Sequence, residues 1–242
     1  MIKKIKSFLL FPLVVMFAKG LKGKDTNFKQ FITNDKRELN NQVLLEIDCQ
    51  NYEVLDDISK FFDKTSPIYD KTKINFKIDV NVIPEDYKKF TFDFMDIVHI
   101  YHSASMLSAR IPNENIYVEI KVSNYKLNET QLNNLLRYIL KIYGSKKVEK
   151  LFLNIEDFDE KSKQSLQYFT NLLNSSKALK FSRSRGLFVL TCEDKKKKYD
   201  IVWSKGEDIE LTEFGIVFDK FGNEMEKGIK VSNSPIVAIH KT

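Results

Sequence analysis

The chain has 242 residues, 43% hydrophobic and 12% aromatic, enough to bury a sizeable core in one or two domains and too apolar for a disordered polymer. Its formal charge of +6 owes four positive charges to Lys3, Lys4, Lys6 and Lys19, so the remainder carries +2. The other lysines are interspersed with Asp, Glu and Asn, with no basic stripe among aromatics, which argues against nucleic acid as the partner.

The amino terminus reads as an export signal over 1–20. Lys3, Lys4 and Lys6 supply a basic start, 7–17 an apolar stretch, and Ala18, Lys19 and Gly20 a small-x-small cleavage site. The apolar stretch is shorter than the ~20 residues that cross a bilayer. No second stretch of spanning length follows. The sequence therefore predicts an exported protein, periplasmic or extracellular, with no membrane span once the signal is cleaved; an uncleaved segment would act as an anchor. Two cysteines, Cys49 and Cys192, are compatible with one disulfide in an oxidising compartment, but nothing in their local sequence brings them together, and buried thiols are the favoured reading.

Beyond a polar stretch at 26–41, apolar runs alternate with helical patterns. Val43 to Ile47 reads as a strand, 52–62 as helical, Ile74 to Ile78 as a strand, and 92–101 as the next periodic run. The clearest unit spans 115–157. Ile116, Tyr117, Val118, Glu119 and Ile120 form an apolar strand carrying one carboxylate. Next, Leu132, Leu135, Leu136, Ile139, Leu140 and Tyr143 recur at helical spacing, with Asn128 as amino-terminal cap, Glu129 in the first turn and Gly144 as terminator. A second apolar strand over 151–155 runs into Glu156, Asp157, Asp159 and Glu160. A right-handed crossover makes these strands parallel, with carboxyl ends on one side. Those acids lie where ligands bind in such sheets, or form the negative first turn of the next helix.

A break is expected near 175–185. After it, short runs at 187–191, 199–203, 209–211, 215–218, 228–231 and 235–239 are separated by Gly206, Gly222 with Asn223, and a Ser-Asn-Ser turn, the pattern of an antiparallel sheet or small sandwich. Trp203 reads as its core anchor and Lys195 to Lys198 as a solvated hairpin turn. The expected architecture is thus α/β: an incomplete or shortened barrel-like parallel sheet over 21–175, then a small antiparallel β-domain over 176–242.

These segments resemble the last strands of clan A (β/α)8 glycoside hydrolases, of the family 39 and family 5 kind, and their trailing β-domain. The run Asp96, Ile97, Val98, His99, Ile100, Tyr101 and His102 is similar to the strand that ends in the sugar cleft, which makes His99, Tyr101 and His102 substrate-binding candidates. Ile116 to Ile120 resembles the nucleophile strand, which implies Glu119 as the nucleophile of a retaining reaction, with Tyr117 beside it and Glu156 and Asp157 at the next strand end. This sequence departs from that pattern: the Thr before the nucleophile is absent, Lys121 stands where Gly is common, and Leu153 replaces a Trp. A full barrel takes ~250 residues. Retention also needs a second carboxylate about 5–5.5 Å from the nucleophile, and no Asn-Glu pair follows an expected strand: Asn113 and Glu114 precede one, Asn128 and Glu129 start a helix, and Asn223 and Glu224 lie in a turn. Glu46 and Glu85 are the upstream substitutes.

Each candidate has a structural counterpart. Glu119 is either a nucleophile or a residue on a solvated strand face; Tyr101, Tyr117 and Tyr125 either stack on sugars or pack in the core. With no third His nearby and no ligand spacing on a helix, His99 and His102 predict no metal site, and no cofactor is implied. The expected function is an exported glycoside-hydrolase-like protein that does not catalyse but binds glycan, or a partner in surface polysaccharide processing. The alternatives are an active retaining glycosidase using Glu119, and an exported protein of unrelated function.

Overall fold

The structure, a computed structural model, describes residues 30–35, 44–48, 73–80, 116–122, 125–184, 186–195, 197–204, 208–210, 215–226 and 229–240, with backbone alone at 44–48, 73–80 and 116. The export segment, the periodic runs at 52–62 and 92–101, and Cys49, Glu85, His99, Tyr101 and His102 lie outside the described residues.

Strands β1 (Ile32–Thr33), β2 (Leu44–Asp48), β3 (Lys73–Val80), β4 (Ile116–Val122) and β5 (Lys150–Phe152) form an all-parallel sheet in the order β1-β5-β4-β3-β2. Pairing is in step across it, Ile47 beside Phe76, Phe76 beside Val118, Val118 beside Leu151 and Leu151 beside Ile32. The first strand lies beside the last, not beside the second. Short β1 is pinned by a side chain: Asn174 Oδ1 accepts from the Phe31 and Ile32 amides, each at 2.8 Å, and its Nδ2 donates to the Ile32 carbonyl at 3.0 Å. The strand expected over 151–155 stops sooner. A 3-10 turn, Ile155–Asp157, follows, because Asn154 Nδ2 donates to Asp157 Oδ2 at 2.6 Å and a local side-chain bond competes with the ladder.

Helix α1 (Glu129–Ser145) begins as expected. Asn128 Oδ1 accepts from the Gln131 amide at 2.9 Å, and Gln131 Oε1 accepts from the Asn128 amide at 3.0 Å, a reciprocal capping box. It does not end at Gly144. The left-handed residue is Lys146, with φ 56°, and Gly144 serves close packing instead: a Cβ there would stand 3.1 Å from the Phe181 ring and 3.2 Å from Leu190. Helix α2 (Glu160–Asn174) is capped by Asp159, whose Oδ1 accepts from the Ser162 amide at 3.1 Å.

The expected break contains a strand. β6 (Lys177–Ser184) leads directly from α2 into β7 (Leu187–Glu193) and β8 (Lys198–Ser204), and with β12 (Ile236–Ile239) and β10 (Val217–Phe218) they form an antiparallel sheet ordered β10-β12-β8-β7-β6. β9 (Ile209–Glu210) and β11 (Lys230–Val231) pair separately. A register shift between Ala178 and Lys180 leaves the Leu179 carbonyl to accept from Lys146 Nζ at 2.6 Å. The coarse expectation of a parallel sheet with helices followed by antiparallel strands holds.

A single hydrophobic cluster joins the layers. Val118, Ile120 and Val122 of β4 meet Leu132, Leu136 and Ile139 of α1, and the cluster extends through Leu166 and Phe169 of α2 to Leu190, Ile201 and Trp203. The amphipathic reading of α1 is therefore incomplete. Every residue from 131 to 142 is buried, including Asn133, Asn134, Arg137 and Lys141. The polar face is covered because the antiparallel sheet docks on it: Lys141 Nζ lies 5.5 Å from the Phe188 ring centroid, itself stacked at 5.4 Å on Trp203.

Candidate functional site

Parallel strands bring their carboxyl ends to one rim, where side chains from successive connections converge. Here a cleft of about 590 Å³ opens at the ends of β1, β4 and β5, lined by Asn34, Glu119, Ile120, Lys121, Val122, Tyr125, Phe152, Leu153, Asn154 and Asp157. Polar and apolar groups share the wall. Among the described residues, two carboxylates, two amides and one ammonium face a space bounded also by two aromatic rings and aliphatic side chains.

Glu119 lines this cleft while being only 4% exposed, so its strand face is not the solvated one. The reason lies in the sheet. Val118, Ile120 and Val122 turn toward the helical core, which sends Tyr117 and Glu119 to the opposite face, and in a parallel sheet that face is covered too. Glu119 pairs in register with Lys77 on one side and Phe152 on the other. Tyr117 is fully buried, edge-on to Phe152 with ring centroids 5.7 Å apart, and is not among the residues lining the cleft.

The structure separates the acids that follow β5 into different tasks. Asp157 reaches the cleft, exposed, with its carboxylate accepting from Asn154. Glu156 points elsewhere and forms an ion pair with Lys163, whose ammonium is held above its ordinary range by that bond. Glu160 stands in the first turn of α2. Asp159 is the cap, and it does more than cap: Oδ2 accepts from the Ser162 hydroxyl at 2.7 Å and from the Leu127 amide at 3.2 Å, tying the β4–α1 connection to the β5–α2 connection. Burial pushes its carboxyl up, but the Ser162 hydroxyl and the amides of Ser162, Leu127 and Lys161 outweigh that and hold it below the usual carboxylate range.

Asn34 and Asn154 were not singled out by sequence reasoning. Each is the polar residue that ends an apolar run at the carboxyl end of a strand, Thr33-Asn34 and Leu153-Asn154, and that position was the available signal. Cys192 is a free, fully buried thiol on β7 of the antiparallel sheet, pushed up to about 12 by burial. Among the described residues no group of three or more His, Cys, Asp and Glu could hold a metal ion, and no helix is long and apolar enough to cross a membrane.

No protein-family model matches the sequence, and no curated protein matches it. Among solved structures the chain is similar to a family 39 glycoside hydrolase from the gut symbiont Bacteroides cellulosilyticus WH2, at 17% identity and TM-score 0.43 over 58% of this chain and 37% of that one. It is also similar to the maltogenic amylase from S. marinus, at 10% identity and TM-score 0.37 over 82% and 36%, and to the Gamma-CGTase from alkalophilic Bacillus clarkii, at 10% and 0.37 over 85% and 41%. The chain spans less than half the length of each of these proteins. The glycoside-hydrolase resemblance read from the sequence thus has counterparts among solved structures.

Proposed function

We propose that this is an exported protein on a shortened glycoside-hydrolase-like barrel, 21–175, with a trailing β-domain, 176–242, and that its cleft binds glycan without cleaving it. The observation that carries the reading is the placement of Glu119: buried, on a parallel strand, in a cleft where polar and apolar groups alternate at the strand ends. Such a wall suits a ligand with hydroxyl edges and a carbon-bound hydrogen face. The order of the described strands supports the barrel ancestry, since among them the first lies beside the last, as closing a sheet on itself requires, whereas an open doubly wound sheet keeps its first strand inside. Export rests on the pattern at 1–20.

Binding rather than turnover is favoured by the partner available to Glu119. Among the described residues the other carboxylate in the cleft, Asp157, is exposed and already engaged by Asn154, whereas a retaining reaction needs an acid about 5–5.5 Å from the nucleophile and free to exchange its proton with the leaving oxygen. That same carboxylate is the observation favouring an active retaining glycosidase as the second reading, with Glu119 as nucleophile and Asp157 as acid. Titration of cello-, xylo-, malto- and chito-oligosaccharides against the full chain, with aryl glycoside assays in parallel, decides between them. Heat of binding lost in Glu119→Gln with no aglycone released supports the binding reading. Aglycone release lost in Glu119→Gln and Asp157→Asn overturns it in favour of the enzyme, and neither binding nor release removes both.

A further inference from the structure

We infer that Tyr125 is the specificity-determining wall of this cleft and selects ring-shaped polyols over straight-chain ones, an inference that rests on the glycan reading above. Tyr125 lines the cleft three residues beyond β4 and is half-buried. Its orientation is fixed before any ligand arrives. The ring packs edge to face on the buried Phe158, centroids 5.1 Å apart and planes at 85°. Its carbonyl accepts from the Asp159 amide at 3.1 Å, and two residues on, the Leu127 amide donates to Asp159 Oδ2 at 3.2 Å. Main chain and ring are thereby held to the start of α2 on both sides of Lys126, so little conformational freedom is left to lose on binding.

The chemistry of the remaining wall states what such a ring would meet. Asn34, Glu119, Asn154 and Asp157 present acceptors and amide donors to hydroxyl groups, and Phe152 and Tyr125 are the aromatic members among the described lining residues. Phe152 is committed to the core, 1% exposed and packed on Tyr117, which among the described residues leaves Tyr125 as the accessible ring. An aromatic face carries negative quadrupole density and attracts polarised C–H groups when several lie in one plane. A pyranose offers such a plane together with equatorial hydroxyls; a linear alditol offers the same hydroxyls without the plane.

The test uses the full chain and compares methyl glucoside, methyl xyloside and methyl N-acetylglucosaminide with sorbitol and xylitol by saturation-transfer and chemical-shift titration. At least one glycoside should bind about tenfold more tightly than either alditol, and Tyr125→Ala should remove that preference, while Tyr125→Phe and Tyr125→Trp keep it. Should Tyr125→Ala melt early, Tyr125→Leu preserves apolar bulk against Phe158 without a π face and carries the comparison. Glycosides bound equally well by Tyr125→Leu, or alditols bound as well as glycosides, overturn the role of Tyr125 and leave the glycan reading standing. Absence of binding by oligosaccharides and methyl glycosides alike overturns the glycan reading itself, and this inference with it.

Discussion

Lys220 ties the turn after β10 to the first turn of α1, and the two ends of that link are unequal. Its ammonium bonds the Glu129 carboxylate and Asn133 Oδ1, the latter at 2.6 Å, and its carbonyl accepts from the Ser165 hydroxyl of α2 at 2.9 Å. The Lys220 side chain is 3% exposed, whereas Glu129 is 55% exposed and also pairs with Lys161 at 3.1 Å. Glu129→Ala leaves a buried cation with one neutral acceptor and Lys161 as a like charge nearby, which should cost about 3–5 kcal/mol. Deprotonation sets the ceiling: from an ordinary value of 10.5, neutralising a lysine at pH 7 costs about 5 kcal/mol. Lys220→Met acts differently. The stem stays packed, Glu129 returns to water, and the loss is the bond to the buried Asn133 oxygen, about 1–3 kcal/mol partly offset by the removed desolvation. Urea unfolding at neutral pH should therefore rank Glu129→Ala well below Lys220→Met, with Glu129→Ala/Lys220→Met recovering most of the difference. A Lys220→Met variant as unstable as Glu129→Ala, or a double variant no better than Glu129→Ala alone, would refute the reasoning that the cation is the costly partner.

The same pair shapes the pH profile. Burial pushes the Glu129 carboxyl up, but bonds and charges from Lys220 and Lys161 outweigh it and leave it below its ordinary 4.5. The folded state then binds fewer protons there, so this stability is present above 4.5 and lost as pH falls through the lower folded value; Glu129→Gln should flatten that acid limb in pH-dependent unfolding. At Gly222, φ is +85° and an added Cβ would meet Tyr168 ring carbons at 2.9 Å, so Gly222→Ala should cost about 1–3 kcal/mol, and Gly222→Ala/Tyr168→Ala should recover only the contact part. Leu136, fully buried on α1, should cost about 3–4 kcal/mol as Leu136→Ala, and Leu136→Asp should abolish cooperative melting. Cys192 should resist iodoacetamide at mildly alkaline pH in the folded protein and react on unfolding; labelling of the native thiol would contradict its burial.

Local signals carried the sequence a long way. Alternation at 116–120 and helical spacing from Leu132 to Tyr143 fix a strand and a helix because each period is set by backbone geometry, and the Asn128 cap with Gln131 three residues on is a contact made within one turn. Glu119 could be singled out for the same reason, as the lone carboxylate in an apolar strand. Whether its face was solvated could not, because burial of that face depends on strands and connections distant in the chain.

Tertiary packing decided the rest. Gly144 looked like a terminator and is instead a packing contact, since only the arrival of Phe181 and Leu190 makes a missing Cβ necessary. The polar stripe of α1 is buried along with the apolar one, because the antiparallel sheet covers it and Lys220 reaches Asn133 from 87 residues away. The acids after β5 were indistinguishable in one dimension. Asp159 became a latch, Glu156 an ion pair and Asp157 a cleft residue only when the β4–α1 connection came to lie against α2, because a carboxylate's role is set by the donors around it, and those donors are brought by the fold.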